Sequence, residues 1–209
     1  MADLLLDKQG KPTAPAAGQS ITYVDNQSST LCMLDSAGKV KGSDHRASIA
    51  QQAGFAADTY VADSALVIPS CGMQPGMVFE WDIVASKTAA GVAQPNFTVR
   101  SGANQSLADA ARLALQSSAQ TAAADVAKIH VQVTVRSVNA AGVIRGHVEI
   151  KHNLAATGFA STPAGFDLIE ASSAGFDNSA LGGQFVGLSI NGGAAAAWTI
   201  EQVIGRVRY

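Results

Sequence analysis

The chain has 209 residues, 47% of them hydrophobic, with a mean hydropathy of +0.16; that is enough apolar material for a real core and too much for a disordered chain. Its 14 Lys and Arg nearly balance 16 Asp and Glu, so it lacks the clustered positive charge that phosphate contacts require, and nucleic acid is excluded as a partner. Charged residues make up only 14%, well below the roughly 25% of soluble domains, so much of the surface is expected to be covered by partners.

Residues 1–20 read as an N-terminal arm. Leu4, Leu5 and Leu6 form its one apolar run, flanked by Asp3 and Asp7 with no basic residue before it, which is the wrong pattern for a signal peptide. Pro12, Pro15 and Ala16-Ala17-Gly18 then mark a linker. No segment of the chain approaches the roughly 20 apolar residues of a membrane-spanning helix, so no membrane partner is expected.

Residues 21–46 read as a small β-hairpin attachment unit. Ile21–Asp25 and Thr30–Leu34 are short strands separated by a turn, and a further turn at Asp35-Ser36-Ala37-Gly38 leads into Lys39-Val40-Lys41-Gly42. The Ala-, Ser- and Gln-rich stretch 47–57 is expected to be a connector or a short helix, and 58–209 the main domain.

Within that domain the clearest strand runs from Met77 to Val84, where Met77, Phe79, Trp81 and Ile83 share one face. A second has Ile129, Val131, Val133 and Val135 on one side and His130, Gln132, Thr134 and Arg136 on the other, the alternation of a half-buried antiparallel strand. It forms a hairpin with 143–153; pairing Asn139 with Gly142 places Gln132 opposite Glu149 and Thr134 opposite His147. Further strands are expected at 65–68, 96–100, 112–116, 166–171, 184–190 and 198–207. A helix over Leu107–Leu115 competes with the strand at 112–116, because Ser106 to Asp109 has capping-box spacing, but the strand is kept. The tetrapeptide Ala-Gly-Phe-Asp at 164–167 recurs at 174–177, a single echo and not a solenoid. Together these elements predict an all-β chain: an antiparallel jelly-roll sandwich preceded by the arm and the small β unit.

Candidate chemistry is sparse. Glu80 and Asp82 lie two apart on one strand face, a spacing of about 7 Å that paired glycosidase carboxylates also use. No further polar group is evidently placed to raise the pKa of either, and a solvated strand face is the favoured reading. His130, His147 and His152 belong to one hairpin but do not face one another in the expected register, and no cysteine completes a ligand set. Cys32 and Cys71 match no metal spacing and are expected to be buried thiols. There is no G-x-S-x-G motif and no phosphate-binding loop; Gly182-Gly183 and Gly192-Gly193 are hairpin glycines. Aromatic residues are 6% of the chain, too few for a sugar-stacking surface, and Trp81 and Trp198 are assigned to the core. No catalytic residue, cofactor or metal is therefore expected.

Two stretches carry a family resemblance. Residues from Pro15-Ala16-Ala17-Gly18 through Tyr23-Val24-Asp25 to Lys39-Val40-Lys41-Gly42 are similar to the small β unit that opens phage fibre proteins. Residues from Ala57-Asp58-Thr59-Tyr60 through Ile68-Pro69-Ser70, Trp81, Ser86-Lys87-Thr88, Phe97-Thr98-Val99-Arg100 and Ala110-Ala111-Arg112-Leu113 to Ala174-Gly175-Phe176-Asp177-Asn178 resemble the jelly-roll domains of tailed-bacteriophage decoration, head-fibre and tail-fibre proteins.

The resemblance implies a non-enzymatic virion protein, made in the host cytoplasm, that forms a homotrimer and binds the phage major capsid protein on the outer surface of the head through its N-terminal region. The alternative it implies is a tail-fibre or receptor-binding component that meets tail proteins or a host surface glycan. The partner-binding residues expected are Leu4, Leu5, Leu6, Tyr23, Leu31 and Leu34.

Overall fold

A computed structural model describes residues 8–26, 31–36, 40–41, 43–154, 156–161, 166–193 and 198–208, and every helix or strand element among them is a strand. The runs richest in β-branched and aromatic residues became the long strands, because their alternation lets one face of the pleat be buried while the other stays polar.

The larger sheet has seven strands. Its path runs from β14 (Phe166–Ser172) through β13 (Val143–His152), β12 (Asp125–Ser137), β9 (Val78–Lys87) and β16 (Trp198–Arg208) to β5 (Ser43–Ser48), and β6 (Gln52–Ala53) also pairs with β16. The five-stranded sheet runs from β11 (Ala110–Gln116) through β10 (Asn96–Gly102) and β15 (Phe185–Asn191) to β7 (Thr59–Tyr60), with β8 (Leu66–Val67) also on β15. All pairings within these two sheets are antiparallel. A third, small sheet is formed by β1 (Lys8–Gln9), β2 (Ser20–Asp25), β3 (Leu31–Asp35) and β4 (Val40–Lys41); its β1–β2 pairing is parallel, and β2, β3 and β4 are antiparallel.

One hydrophobic core lies between the two large sheets. Phe79, Trp81 and Ile83 of β9 and Ile129, Val131 and Val133 of β12 meet Phe97, Val99, Leu113, Leu115, Leu188 and Ile190 of the facing sheet. Both tryptophans are core residues whose indole N–H is satisfied, Trp81 donating to the Ser64 carbonyl at 2.7 Å and Trp198 to Gln120 Oε1 at 2.7 Å. Gly205 sits in mid-strand for want of space: a Cβ there would lie 2.9 Å from Leu66 and 3.4 Å from the Trp81 ring.

Two expectations are corrected. First, the β12–β13 hairpin is shifted by two residues, with Gln132 opposite His147 and Thr134 opposite Arg145, because a bulge between Val135 and Ser137 takes up a residue before the turn. A two-residue shift preserves the faces, so the core side was unaffected. Second, the stretch 47–57 is not a helix: Ala47 and Ser48 end β5, Gln52–Ala53 is β6, and both strands pair with β16. Residues 43–46, which the sequence reading grouped with the small β unit, hydrogen-bond into the seven-stranded sheet. The strand expected at 112–116 is present, and Ser106 to Asp109 caps the turn before it in place of the competing helix. The Asp109 carboxylate accepts from the backbone N–H of Asn104 at 2.8 Å and of Ser106 at 3.4 Å, and Ala110–Gln116 is a strand with Leu113 and Leu115 inward. The tetrapeptide echo is not a structural repeat: Phe166-Asp167 starts β14, whereas Phe176 makes an isolated bridge to Gly142.

Candidate partner-binding surface

In the small sheet, alternation sorts the side chains. Tyr23 and Asp25 of β2 and Cys32 and Leu34 of β3 turn inward and are buried; Leu31 and Met33 turn outward. Tyr23 is directly opposite Cys32, Val24 opposite Leu31 and Thr22 opposite Met33. The outward face thus carries Leu31, 57% exposed, and Met33, 38% exposed, beside half-buried Val24.

The inward face packs Tyr23, Cys32 and Leu34 against Cys71 of the main body. The Asp25 carboxylate, itself buried, accepts hydrogen bonds from the Ser70 N–H at 3.1 Å and from the Ser70 hydroxyl, and the Lys11 N–H donates to Ser70 Oγ at 3.1 Å. Burial, reinforced by the neighbouring Cys32, Cys71 and Asp25, pushes the Tyr23 hydroxyl well above its ordinary pKa.

Of the six residues expected to bind a partner, Tyr23 and Leu34 are corrected: both are fully buried in this small core and offer no contact surface. Leu31 is exposed, and Leu4, Leu5 and Leu6 lie outside the described residues. Met33 was missed, although alternation from Leu31 points to it.

The outward face of the seven-stranded sheet is a lattice of charges. Asp82 pairs with Arg206 at 3.0 Å, His130 at 3.1 Å and Lys128 at 3.8 Å; Arg208 pairs with Glu80, and Arg145 with Glu170 at 2.7 Å. Burial acts to raise the Asp82 pKa, but the His130 hydrogen bond and the charges of Lys128, His130 and Arg206 outweigh it and hold the carboxyl below its ordinary value. That is the wrong direction for a general acid. The observed register also brings His130 and His147 together, ring centroids 5.9 Å apart, which the expected register did not. Among the described residues no group of three or more His, Cys, Asp or Glu side chains is placed to hold a metal ion.

His152 points the other way, into the end of the core. Its Nδ1 lies 2.8 Å from the Asp125 carboxylate, and both side chains are fully buried. Asp125 also accepts from the N–H of Val126 at 2.8 Å and of Phe159 at 3.3 Å. Beside them Lys87 donates to the carbonyls of Thr88, Thr121 and Ala123 at 2.9–3.0 Å. Burial pushes the Lys87 pKa down, and the Asp125 charge opposes that shift. These groups form a polar plug where the strands run out of apolar residues; continuing the inward phase of β9, β12 and β13 locates all three.

The 102–110 loop is held from beneath. Arg100 donates to Ser189 Oγ at 2.8 Å, to the carbonyls of Leu107 and Asp109 at 3.2 and 2.9 Å, and pairs with Asp58 at 2.6 Å. Leu107 is left at the surface, 45% exposed.

The chain matches no protein-family model and no curated protein.

Proposed function

We propose that the protein is a structural component of a phage particle: a homotrimeric capsid-decoration protein that binds the major capsid protein on the outer surface of the head through its N-terminal region, and has no enzymatic role. The observation that carries this reading is the apolar outward face of the small sheet, Leu31 and Met33. Exposed large apolar side chains on a small sheet are the pattern of a contact surface. A jelly-roll sandwich is the fold this reading assigns to the large unit. Its support is nested long-range pairing, since β9 pairs with β16 and β10 with β15. The pairing of charges on the outward face of the seven-stranded sheet fits a solvated flank.

Co-sedimentation with undecorated capsids tests the proposal. The full chain pellets with capsids, while a chain lacking residues 1–20 and the double variant Leu31→Ser, Met33→Ser stay in the supernatant. If none of the three pellets, decoration of the head is ruled out. A second reading, a tail-fibre or receptor-binding component, is favoured by the 102–110 loop, which Arg100 and Asp109 hold in a fixed shape with Leu107 outward. Gold-labelled protein on tails instead of heads would select it.

A further inference from the structure

We infer that Cys32 and Cys71 are a latent disulfide pair, a redox staple that joins the small sheet covalently to the main body. In the structure both are thiols, not joined to each other. Three independent features bring them to one place. The β2–β3 register sets Cys32 directly opposite Tyr23 on the inward face. Asp25, two residues along the same face, binds Ser70 through both its N–H and its hydroxyl, which fixes the position of the next residue, Cys71. Cys71 then packs against the cluster of Tyr23, Cys32 and Leu34. Both thiols act on the same Tyr23 hydroxyl and on each other.

These are the two cysteines of the chain. They sit on either side of a junction where, among the described residues, Asp25 and Lys11 bond to Ser70 and one small apolar cluster forms. A bond between them would restrain this junction, because a cross-link reduces the freedom of the opened state.

The chemistry balances with a small-molecule disulfide as oxidant. Cys71, the more accessible of the two, attacks glutathione disulfide as its thiolate, forms a mixed disulfide and releases one glutathione thiol. The Cys32 thiolate then attacks the Cys71 sulfur and releases the second. Two cysteine S–H bonds are lost, one S–S bond is broken and one formed, and the two protons end on the two glutathione thiols. Burial, with the nearby Asp25 and Cys32, pushes the Cys71 thiol up to about 11, so the reaction is slow at neutral pH and faster in mild alkali.

The test uses the full chain incubated with glutathione disulfide at mildly alkaline pH, followed by intact mass and a non-reducing peptide map. The expected product is a monomer lighter by two hydrogen atoms, with the Cys32 and Cys71 peptides linked, while Cys32→Ser instead retains one glutathione on Cys71. Two glutathiones on the full chain, disulfide-linked dimers, or an unchanged mass would each overturn the pair. Hydrogen exchange of β2 and β3 is the second readout. Opening in the oxidised chain should slow at least about tenfold relative to the reduced chain, corresponding to about 1.4 kcal/mol; equal rates would overturn the staple. Neither readout involves a capsid, so failure here is distinguishable from failure of the decoration proposal.

Discussion

The large unit and the small sheet are built on the same alternation but hold together by different means. Between the two large sheets, buried side chains from eight strands share one core, and the indole N–H of both tryptophans is satisfied within it. Among the described residues, the small sheet's apolar core is Tyr23, Cys32 and Leu34, with Cys71 of its neighbour packed on it. A sheet of that size cannot bury enough apolar area to stand alone, so its order depends on docking. The difference predicts that the small sheet opens more readily than the large unit.

The largest effect that sharpens this comparison is expected from Trp81→Ala. It removes the centre of the shared core and should cost about 3–5 kcal/mol in denaturant unfolding, melting all three sheets together. Asp25→Ala should act on the other side of the comparison. Losing the bonds to Ser70 weakens docking by about 1–3 kcal/mol, and hydrogen exchange should rise in β2 and β3 while β9 and β12 stay protected. A uniform rise would show that the two units unfold as one.

Acid offers a third, smaller lever. Burial acts to raise the Asp167 pKa, but hydrogen bonds from the Ser117 hydroxyl and the Ser118 N–H, at 2.7 and 2.9 Å, hold it below the ordinary value. A carboxyl with a depressed folded-state pKa adds stability that is present in full above the unfolded value, near pH 4, and lost as pH falls through the lower folded one. Thermal melts from about pH 6 to about pH 2 should therefore show an acid-dependent loss of stability that Asp167→Asn makes shallower. The smallest stability change is expected for Leu31→Ser with Met33→Ser, within about 0.5 kcal/mol of the parent by melting. Retention of stability together with loss of capsid binding would separate contact surface from scaffold.

Strand content was legible from local pattern. The inward rows Phe79, Trp81, Ile83 and Ile129, Val131, Val133 were readable because period two is a property of the chain itself. The hairpin register was not, since a bulge at the end of β12 depends on how the turn from Asn139 to Gly142 packs on Phe176 and Asn178. The surface site was half legible. Alternation separates Leu31 from Tyr23 and Leu34 only once it is known which face of the small sheet meets the main body, and the contact of Ser70 with Asp25 decides that.

The sequence by itself determined that this chain is all-β, where most strands lie and which rows of β9 and β12 face the core, because side-chain alternation and turn chemistry are local. Tertiary structure alone decided which sheet each strand joins, that His152 turns in to Asp125 while His130 faces out to Asp82, and that Cys71 packs on the cluster containing Cys32. Those outcomes rest on contacts between residues far apart in the chain, where packing and charge pairing select among arrangements that local pattern leaves equivalent.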